Sequence, residues 1–401
     1  MKVMKFGGTS VGSPERMKGV ASLVTESGEP TFIVLSAMSG TTNSLVEISD
    51  YLYKKNPEGA NEVINNLEKK YMQHVEELYS TEEMKNTTRE FLQGEFNYLR
   101  SFTKDLFTSF EEKSIVAQGE MMSTNMVVNY LKEQGVKAVL LNALDFMRTD
   151  KNAEPDPQYI KEKLAAIMEQ NQGYQIYITQ GFICRNAYGE VDNLQRGGSD
   201  YTASLIGAAL PAEEIQIWTD IDGMHNNDPR VVEHTEAVRQ LNFEEAAELA
   251  YFGAKILHPT CVQPAKYAGI PVRLKNTMDP KADGTIIDNV IVRGKIKAVA
   301  FHYFQSNIAS QSPSKDRHAD PQEPEVAGAA PLTFDLDLGI HAPDVGQLLG
   351  RHTFQHRHAL APTPPFAVDK ITDDPESNAH PHNLFEDFFY LISDTHNIIV
   401  L

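Results

Sequence analysis

Short apolar runs alternate with helical patterns through the first 274 residues of the chain. Each run is rich in Val, Ile, Leu or aromatic residues and is bounded by Gly, Pro or Ser, which is typical of buried strands. Such alternation predicts an α/β fold with a largely parallel central sheet. The predicted strands cover residues 2–6, 31–36, 137–141, 175–180, 214–218 and 271–274.

No strand pattern is visible between residues 43 and 119. Apolar residues recur there at spacings of three and four, the period of an amphipathic helix. We therefore predict a helical insertion at about residues 44–119 and expect most of its side chains to serve packing. The periodic positions are Leu45, Ile48 and Leu52, then Ile64, Leu67, Tyr71, Val75 and Leu78.

The composition changes after about residue 300. Residues 301–401 hold nine of the thirteen histidines and ten of the 21 prolines. Residues 305–331 have hardly any apolar periodicity, which is typical of a linker or a disordered segment, whereas residues 384–401 could form a short helix or strand. We predict one α/β domain at 1–300, followed by an atypical, partly disordered Pro/His-rich tail at 301–401.

Charge and cysteine usage narrow the function classes. A net charge of −19 argues against nucleic acid or an anionic membrane as a partner, because both require a basic face. Cys184 and Cys261 lie too far apart for a C-x-x-C motif, so neither a disulfide framework nor a zinc module is indicated. Neither a signal-peptide pattern nor a run of 18 apolar residues occurs, and we expect a cytoplasmic location.

The first dozen residues contain the strongest candidate site. Lys5 and the pair Gly7-Gly8 follow a strand pattern, and Ser13-Pro14-Glu15 is a helix start. Glycines allow backbone N–H groups to approach an anion, and a helix N-terminus adds partial positive charge. This arrangement predicts a phosphate site, although G-x-x-x-x-G-K-[ST] and G-x-G-x-x-G are absent. An ordinary strand-to-helix turn is the alternative.

A second loop repeats this chemistry. Arg196 precedes Gly197-Gly198, and Ser199 and Asp200 follow before an apolar helix predicted at 203–210. Arginine can grip a carboxylate through two parallel hydrogen bonds. Two such loops indicate two anionic groups, whereas a glycine hairpin with a helix cap is the alternative.

Further candidates follow other strand patterns, where ligands of open α/β sheets bind. Hydroxyl groups cluster at residues 36–43, Glu120 ends the helical insertion, and Thr219 and Asp220 follow a strand. For each of them, a turn, a helix cap or a solvated surface residue is the alternative.

Five motifs, in order and spacing across residues 1–300, resemble those of the aspartokinases in the amino-acid kinase family. The resemblance implies the three-layer αβα sandwich of that family and ATP-dependent phosphorylation of the β-carboxylate of L-aspartate to 4-phospho-L-aspartate. That reaction begins the biosynthesis of lysine, threonine and methionine, and in many bacteria of diaminopimelate. The motifs are Lys5-Phe6-Gly7-Gly8-Thr9-Ser10-Val11, Gly119-Glu120, Arg196-Gly197-Gly198-Ser199-Asp200-Tyr201-Thr202, Thr219-Asp220 and Phe252-Gly253-Ala254-Lys255-Ile256-Leu257-His258-Pro259.

The resemblance also implies roles, with Mg²⁺ arriving on ATP and no separate metal site. Lys5 would neutralise the transferring group, Glu120 would face the ammonium of aspartate, and Arg196 its α-carboxylate. Many relatives have tyrosine where this chain has His225, which leaves that contact open. The implied ATP-binding residues are Lys5, Phe6, Gly7, Gly8, Thr219, Asp220, His225, Arg230, Lys255 and Ile256; the aspartate-binding residues are Thr42, Glu120, Arg196, Gly197, Gly198 and Ser199; the catalytic residues are Lys5, Arg196 and Asp200.

The chemistry agrees with this set of residues. The aspartate side-chain carboxylate has an ordinary pKa near ~3.9 and is already ionised at neutral pH, so no general base is needed. The reaction instead requires two anions held in line and stabilised charge on the phosphoryl group. A His-Asp or Cys-His pair beside the glycine loops is therefore not expected.

The resemblance ends near residues 294–300. Aspartokinases normally continue into paired ACT domains that bind lysine or threonine, but residues 301–401 resemble neither these nor a homoserine dehydrogenase. A degenerate or replaced regulatory region, a tail with its own role and an out-of-frame reading all stay open. Tail histidines could bind a transition metal, although histidine-rich tails commonly have no fixed geometry. They are His352, His356, His358, His380 and His382.

We therefore expect an aspartate kinase without ordinary feedback control, compatible with a homo-oligomer. One alternative is another small-molecule carboxylate kinase of the same fold. The other is a catalytically silent nucleotide-binding subunit that works only with a partner chain.

Overall fold

The computed structural model describes residues 1–104, 106–194, 197–227, 234–252, 257–292, 297–300 and 398–400. The strands are β1 Lys2–Phe6, β2 Thr31–Leu35, β3 Ala138–Leu140, β4 Ile176–Gln180, β5 Ile183–Arg185, β6 Val191–Asn193, β7 Ile215–Thr219, β8 Gln240–Asn242, β9 Val272–Asn276, β10 Thr285–Asp288, β11 Ala298–Ala300 and β12 Ile398–Val400. The α-helices are α1 Pro14–Thr25, α2 Thr41–Tyr53, α3 Pro57–Leu78, α4 Glu82–Ser101, α5 Ser109–Glu133, α6 Pro157–Gln170, α7 Gly198–Ala209, α8 Phe243–Phe252 and α9 Gln263–Ala268.

Eight strands form the central sheet in the order β3-β4-β2-β1-β7-β9-β10-β8. Neighbouring strands are parallel except β9 and β10, which are antiparallel. The first strand of the chain is thus a central strand, with β2 on one side and β7 on the other. All six strands predicted from the apolar runs lie in this sheet.

Helices cover both faces of the sheet because alternate strand residues point to opposite sides. Val3 and Phe32 belong to the apolar core formed with α6, α7, α8 and α9. Met4 and Ile33 belong to a second core formed with α1 to α5. This confirms the predicted three-layer αβα sandwich with a largely parallel sheet.

The helical segment is longer than the sequence predicts. Helices α2 to α5 run from Thr41 to Glu133, and the periodic residues of α3 are buried against their neighbours. Gly119 and Glu120 therefore lie in the middle of α5 and not at the end of the segment. The long helix α5 contacts strands β2, β3 and β4, so it belongs to the sandwich itself.

Local capping explains where two helices begin. Ser13 caps α1 by accepting a hydrogen bond from the backbone of Arg16, and Pro14 is its first residue, as predicted. Helix α7 begins at Gly198, five residues before the predicted start, and Gly197 in the left-handed region is its cap.

Most of the tail lies outside the described residues. This applies to 301–397 and 401, and with them to the five tail histidines. Strand β12 pairs in parallel with β11, which agrees with a strand within residues 384–401. Over the described parts of the chain, every helix is too short or too polar to cross a membrane.

Candidate active site

Four neighbouring parallel strands end at the same edge of the sheet, and the loops after them form the candidate site. Strands β4, β2, β1 and β7 are followed by Gly181, Ser36, Gly7 and Asp220. Helix α7 packs on β1, β2 and β7, and its first turn lies at this edge, since Asp200 pairs with Lys5 and Ser199 with Ser36. Ligands of open α/β sheets bind in this position, beyond the carboxyl ends of the strands.

The charged centre of the site is an ion pair between Lys5 and Asp200. The Nζ atom of Lys5, near the end of β1, lies 2.6 Å from Oδ1 of Asp200 in the first turn of α7, and each side chain is 11% exposed. A largely buried ammonium requires such a partner, because desolvation of an unpaired charge is costly. The pair fixes the ammonium beside Gly7, whose Cα would carry a Cβ only 3.7 Å from Nζ.

The turn after β1 packs backbone against backbone. The N–H of Gly7 donates to the carbonyl of Trp218 at 3.3 Å, and Ser39 N–H donates to the carbonyl of Gly8 at 3.2 Å. A Cβ on Gly8 would lie 2.7 Å from the Ala37 carbonyl oxygen, so this approach requires glycine. Phe6 is fully buried and stacks on Trp218 at a centroid distance of 5.7 Å, which anchors the turn in the core.

Glu120 is a buried carboxylate turned toward the same edge. Its Oε1 atom accepts the backbone N–H of Ala37 at 3.1 Å. Its Oε2 atom is buried and has no hydrogen-bond partner among the described residues. Burial raises the pKa of Glu120 to about 8, although the backbone hydrogen bond from Ala37 acts in the opposite direction. A cation at Oε2 would satisfy this oxygen and lower that pKa.

The second glycine loop is joined to the first by the Lys5–Asp200 pair and to the loop after β2 by a pair of serines. Gly197 caps α7 with a φ of +74°, and Gly198 is the first residue of the helix. The hydroxyl of Ser36, at the end of β2, donates to Oγ of Ser199 at 3.0 Å. The two glycine-bearing turns therefore lie on the same side of the sheet. Arg196 lies outside the described residues.

Thr42 occupies the first turn of α2 at the margin of the site. Its side chain is exposed, whereas the adjacent Thr41 is fully buried. The helix follows Gly40, which has a φ of +81°. Thr42 is thus accessible from the loop after β2, but the described residues do not place it in contact with Lys5 or Asp200.

The residues predicted for the nucleotide lie beyond β7. Thr219 closes a tight turn, in which its Oγ1 accepts the N–H of Ile221 at 3.3 Å, and Asp220 is exposed. The imidazole of His225 pairs through Nε2 with Oδ1 of Asp222 at 2.6 Å and through Nδ1 with Thr235 Oγ1 at 2.8 Å. Arg230, Lys255 and Ile256 lie outside the described residues.

The loop after β4 also reaches the site, although the sequence did not single it out. Phe182 has a φ of +69°, a region that bulky side chains rarely occupy. Its N–H donates to Oγ1 of Thr202 in α7 at 3.0 Å, and Gly181 N–H donates to the Leu35 carbonyl at 2.8 Å. Gly181 directly after a buried strand was the signal that could have identified this loop.

A built metal centre is not found in the described parts of the chain, where no three His, Cys, Asp or Glu side chains converge. Magnesium at phosphoryl-transfer sites is usually held by one or two carboxylates together with substrate phosphates. Asp200 is a carboxylate at the centre of the site, so its chemistry fits a Mg²⁺ ion that arrives with a nucleotide.

The chain is similar to known proteins of one family. The model of the amino acid kinase family matches residues 1–276. Lysine-sensitive aspartokinase 3 of Escherichia coli is 35% identical over 293 residues, which are 72% of this chain and 64% of that protein. Aspartokinase 1, chloroplastic, of Arabidopsis thaliana is 39% identical over 297 residues, which are 71% of this chain and 51% of that protein. The chain thus spans about half to two thirds of the length of these relatives.

Solved structures of aspartokinases share the fold of this chain. The crystal structure of E. coli aspartokinase III in complex with aspartate and ADP matches with a TM-score of 0.68 and 33% identity, over 74% of this chain and 67% of that one. Aspartate kinase from Clostridium acetobutylicum matches with a TM-score of 0.63 and 25% identity, over 74% and 66%.

Proposed function

The chain belongs to the amino acid kinase family, and from this premise we propose that it transfers the γ-phosphoryl group of ATP to the β-carboxylate of L-aspartate. The products are 4-phospho-L-aspartate and ADP. The observation that carries the proposal is the ion pair of Lys5 and Asp200, at 2.6 Å, between two glycine-bearing turns. A relative of this fold was solved with aspartate and ADP, which supports the choice of substrates.

We assign the phosphate groups of ATP to the turn after β1. The Lys5 ammonium would neutralise charge that develops on the transferring group, and the backbone of Phe6, Gly7 and Gly8 would approach the phosphate oxygens closely. Asp200 holds Lys5 in position before the nucleotide arrives. Mg²⁺, when bound to ATP, supplies further charge neutralisation at the same place.

We assign L-aspartate to the opposite side of this centre. Glu120 would accept the substrate ammonium at its unpartnered Oε2, which explains why a carboxylate is buried there. The N-terminus of α7, with Gly197, Gly198 and Ser199, offers N–H groups to a carboxylate. Arg196 and Thr42 complete the predicted set. Because the reacting carboxylate is already ionised, the site works by orientation and charge and needs no base.

The nucleotide would extend from the phosphates toward the loop after β7. Thr219 and Asp220 lie beside the turn that contains Gly7, since Gly7 donates to the carbonyl of Trp218. The rest of the nucleotide pocket is predicted to consist of His225, Arg230, Lys255 and Ile256. A cytoplasmic location, a homo-oligomer and the absence of feedback control also remain predictions from the sequence.

A product-specific assay tests the proposal. ADP release would be measured with L-aspartate at millimolar concentration, and the acyl phosphate would be trapped with hydroxylamine as a hydroxamate. We expect ADP and hydroxamate to form in equal amounts. Glutamate and carbamate serve as competing substrates, and a preference for either would indicate a different carboxylate kinase.

The assay also separates the remaining alternatives. In one outcome, the chain binds MgADP without turning over aspartate until a partner chain is added. That result would contradict the proposal and indicate a catalytically silent subunit. Lysine and threonine, titrated into the active enzyme, test the predicted lack of feedback control, which clear inhibition would contradict.

A further inference from the structure

A partly buried hydrogen bond joins the turn after β1 to the residue that follows β9. The side-chain oxygens of Ser10 and Thr277 lie 2.7 Å apart, although the two residues are separated by 267 positions in the chain. Ser10 is fully buried. The bond crosses the end of β7, because β7 lies between β1 and β9 in the sheet. Two strand spacings amount to about 10 Å, so the loops must lean toward each other above β7.

Each partner is also fixed through its backbone. Ser10 N–H donates to the carbonyl of Gly7 at 2.9 Å, which closes the turn of the proposed phosphate loop. Thr277 N–H donates to the carbonyl of Thr219 at 2.8 Å, which continues the pairing of β7 and β9 by one residue. A continuous path of hydrogen bonds therefore leads from Gly7 through Ser10 and Thr277 to Thr219.

We propose that Ser10 and Thr277 are positioning residues that fix the proposed phosphate loop relative to the nucleotide pocket. This inference rests on the proposed function, because it assigns the two ends of one ATP molecule to the two loops. Neither hydroxyl needs to touch the substrate. Phosphoryl transfer depends on alignment of the reacting atoms, and a misplacement of about 1 Å can reduce the rate about 10²-fold. The aspartate side, near Glu120, lies on the other flank of β1 and is not part of this path.

Substitution of Thr277 tests the proposal. Thr277→Val keeps the shape of the side chain but removes the hydroxyl, and we expect it to weaken MgADP binding and raise the KM for ATP about tenfold, the order of one hydrogen bond. The KM for aspartate should change less than about twofold. Thr277→Ser retains the hydroxyl and is the matched control, with wild-type values expected. Titration calorimetry with MgADP and steady-state kinetics supply the measurements.

A double-mutant cycle distinguishes positioning from separate packing effects. Ser10→Ala should weaken MgADP binding as much as Thr277→Val, and the double variant should be no worse than either single variant. Ser10→Ala removes one oxygen atom and decides the question if Thr277→Val does not fold. Unchanged MgADP affinity, an equal rise in both KM values or independent effects in the double variant would each overturn the inference.

The outcome is separable from that of the proposed function. If aspartate is not phosphorylated but the variants weaken MgADP binding as expected, the substrate assignment fails and the positioning role stands. If aspartate is phosphorylated but the variants bind MgADP like the wild type, the positioning role fails alone.

Discussion

The Lys5 ammonium in the sheet pairs with the Asp200 carboxylate in helix α7. This contact determines the expected effect of replacing Lys5. We predict that Lys5→Met lowers kcat by about 10²-fold or more, because one preorganised charge at a transferring group contributes on this order. Lys2→Met, at the exposed start of the same strand, is the matched control and should retain activity. The measurement is the initial rate of ADP release at saturating substrates. Retention of more than about a tenth of the activity would contradict the role of Lys5.

Glu120 should make aspartate binding depend on pH. Burial raises its pKa to about 8, so the carboxyl of the free enzyme is mostly protonated below that pH. An ammonium ion at Oε2 requires the ionised form, so substrate binding must release a proton. The KM for aspartate should therefore fall as the pH rises toward 8, by at most about tenfold per unit, and level off above it.

Glu120→Gln is the control for this pH effect. It removes the titrating group, so its KM for aspartate should be high and almost independent of pH, while the KM for ATP follows the wild-type profile. Measurement of both constants between about pH 6 and 9 is sufficient. A flat wild-type profile for aspartate would disprove the assignment of Glu120.

The sequence could identify residues with special chemistry but not their partners. Lys5 and Asp200 were both expected at an anion site, because each stands beside a glycine pair. Their 2.6 Å contact joins two distant segments, and no local pattern encodes it. The same holds for Ser10 and Thr277, which ordinary turn chemistry would leave as solvated hydroxyls.

At the scale of elements, helix α3 supports the loop that enters α2. The Tyr71 hydroxyl lies 3.0 Å from Thr41 Oγ1, and both side chains are fully buried. We predict that Tyr71→Phe destabilises the protein by about 1–3 kcal/mol, because the Thr41 hydroxyl loses its buried partner. Because Thr42 follows directly, the KM for aspartate should rise as well.

An exposed tyrosine of α2 provides the matched control. The Tyr53 hydroxyl donates to Glu112 at 2.8 Å at the surface, so Tyr53→Phe should change stability by less than about 0.5 kcal/mol. Denaturant unfolding of both variants makes the comparison. Equal effects would mean that the buried bond has no special importance.

The sequence predicts some strands of the fold but not others. Strands β2 and β4 are buried at every position because helices cover both sides of the sheet, and their apolar runs were predicted. Strands β5 and β6 form a three-residue hairpin pair, and β8 reads Gln-Leu-Asn, so none has a run long enough to predict. Strand β10 is paired antiparallel to β9 near the edge and was also missed. Tertiary pairing, not local propensity, determines these elements.

At the scale of the whole molecule, a buried ion pair joins Lys297, the residue before β11, to helix α8. Lys297 Nζ lies 2.7 Å from Glu245 Oε2, and the Glu245 side chain is fully buried. We predict that Lys297→Met destabilises the protein by about 1–3 kcal/mol, because it removes a charged hydrogen bond to a buried carboxylate that still accepts the Asn242 N–H at 2.8 Å. Helix α8 precedes Lys255 and Ile256, which are expected to reach the nucleotide, so MgADP binding should weaken too.

The neighbouring residue on α8 supplies the control. Lys266 pairs with Glu244 at 2.6 Å, but the two side chains are 31% and 47% exposed. Lys266→Met should therefore cost at most about 1 kcal/mol. Thermal or denaturant unfolding gives both values. A similar loss in the two variants would show that burial of Glu245 adds nothing.

The central position of β1 has a consequence for biosynthesis. The ribosome releases β1 long before β7 and β9, and Thr277 follows Ser10 by 267 residues. At about 5–20 residues per second, β1 and β2 wait roughly 10–40 s before β7, the other neighbour of β1 in the sheet, is synthesised. Such delayed, long-range pairing slows folding and leaves an aggregation-prone strand edge unpaired. Newly made chains should therefore depend on chaperones until the last central strand has emerged.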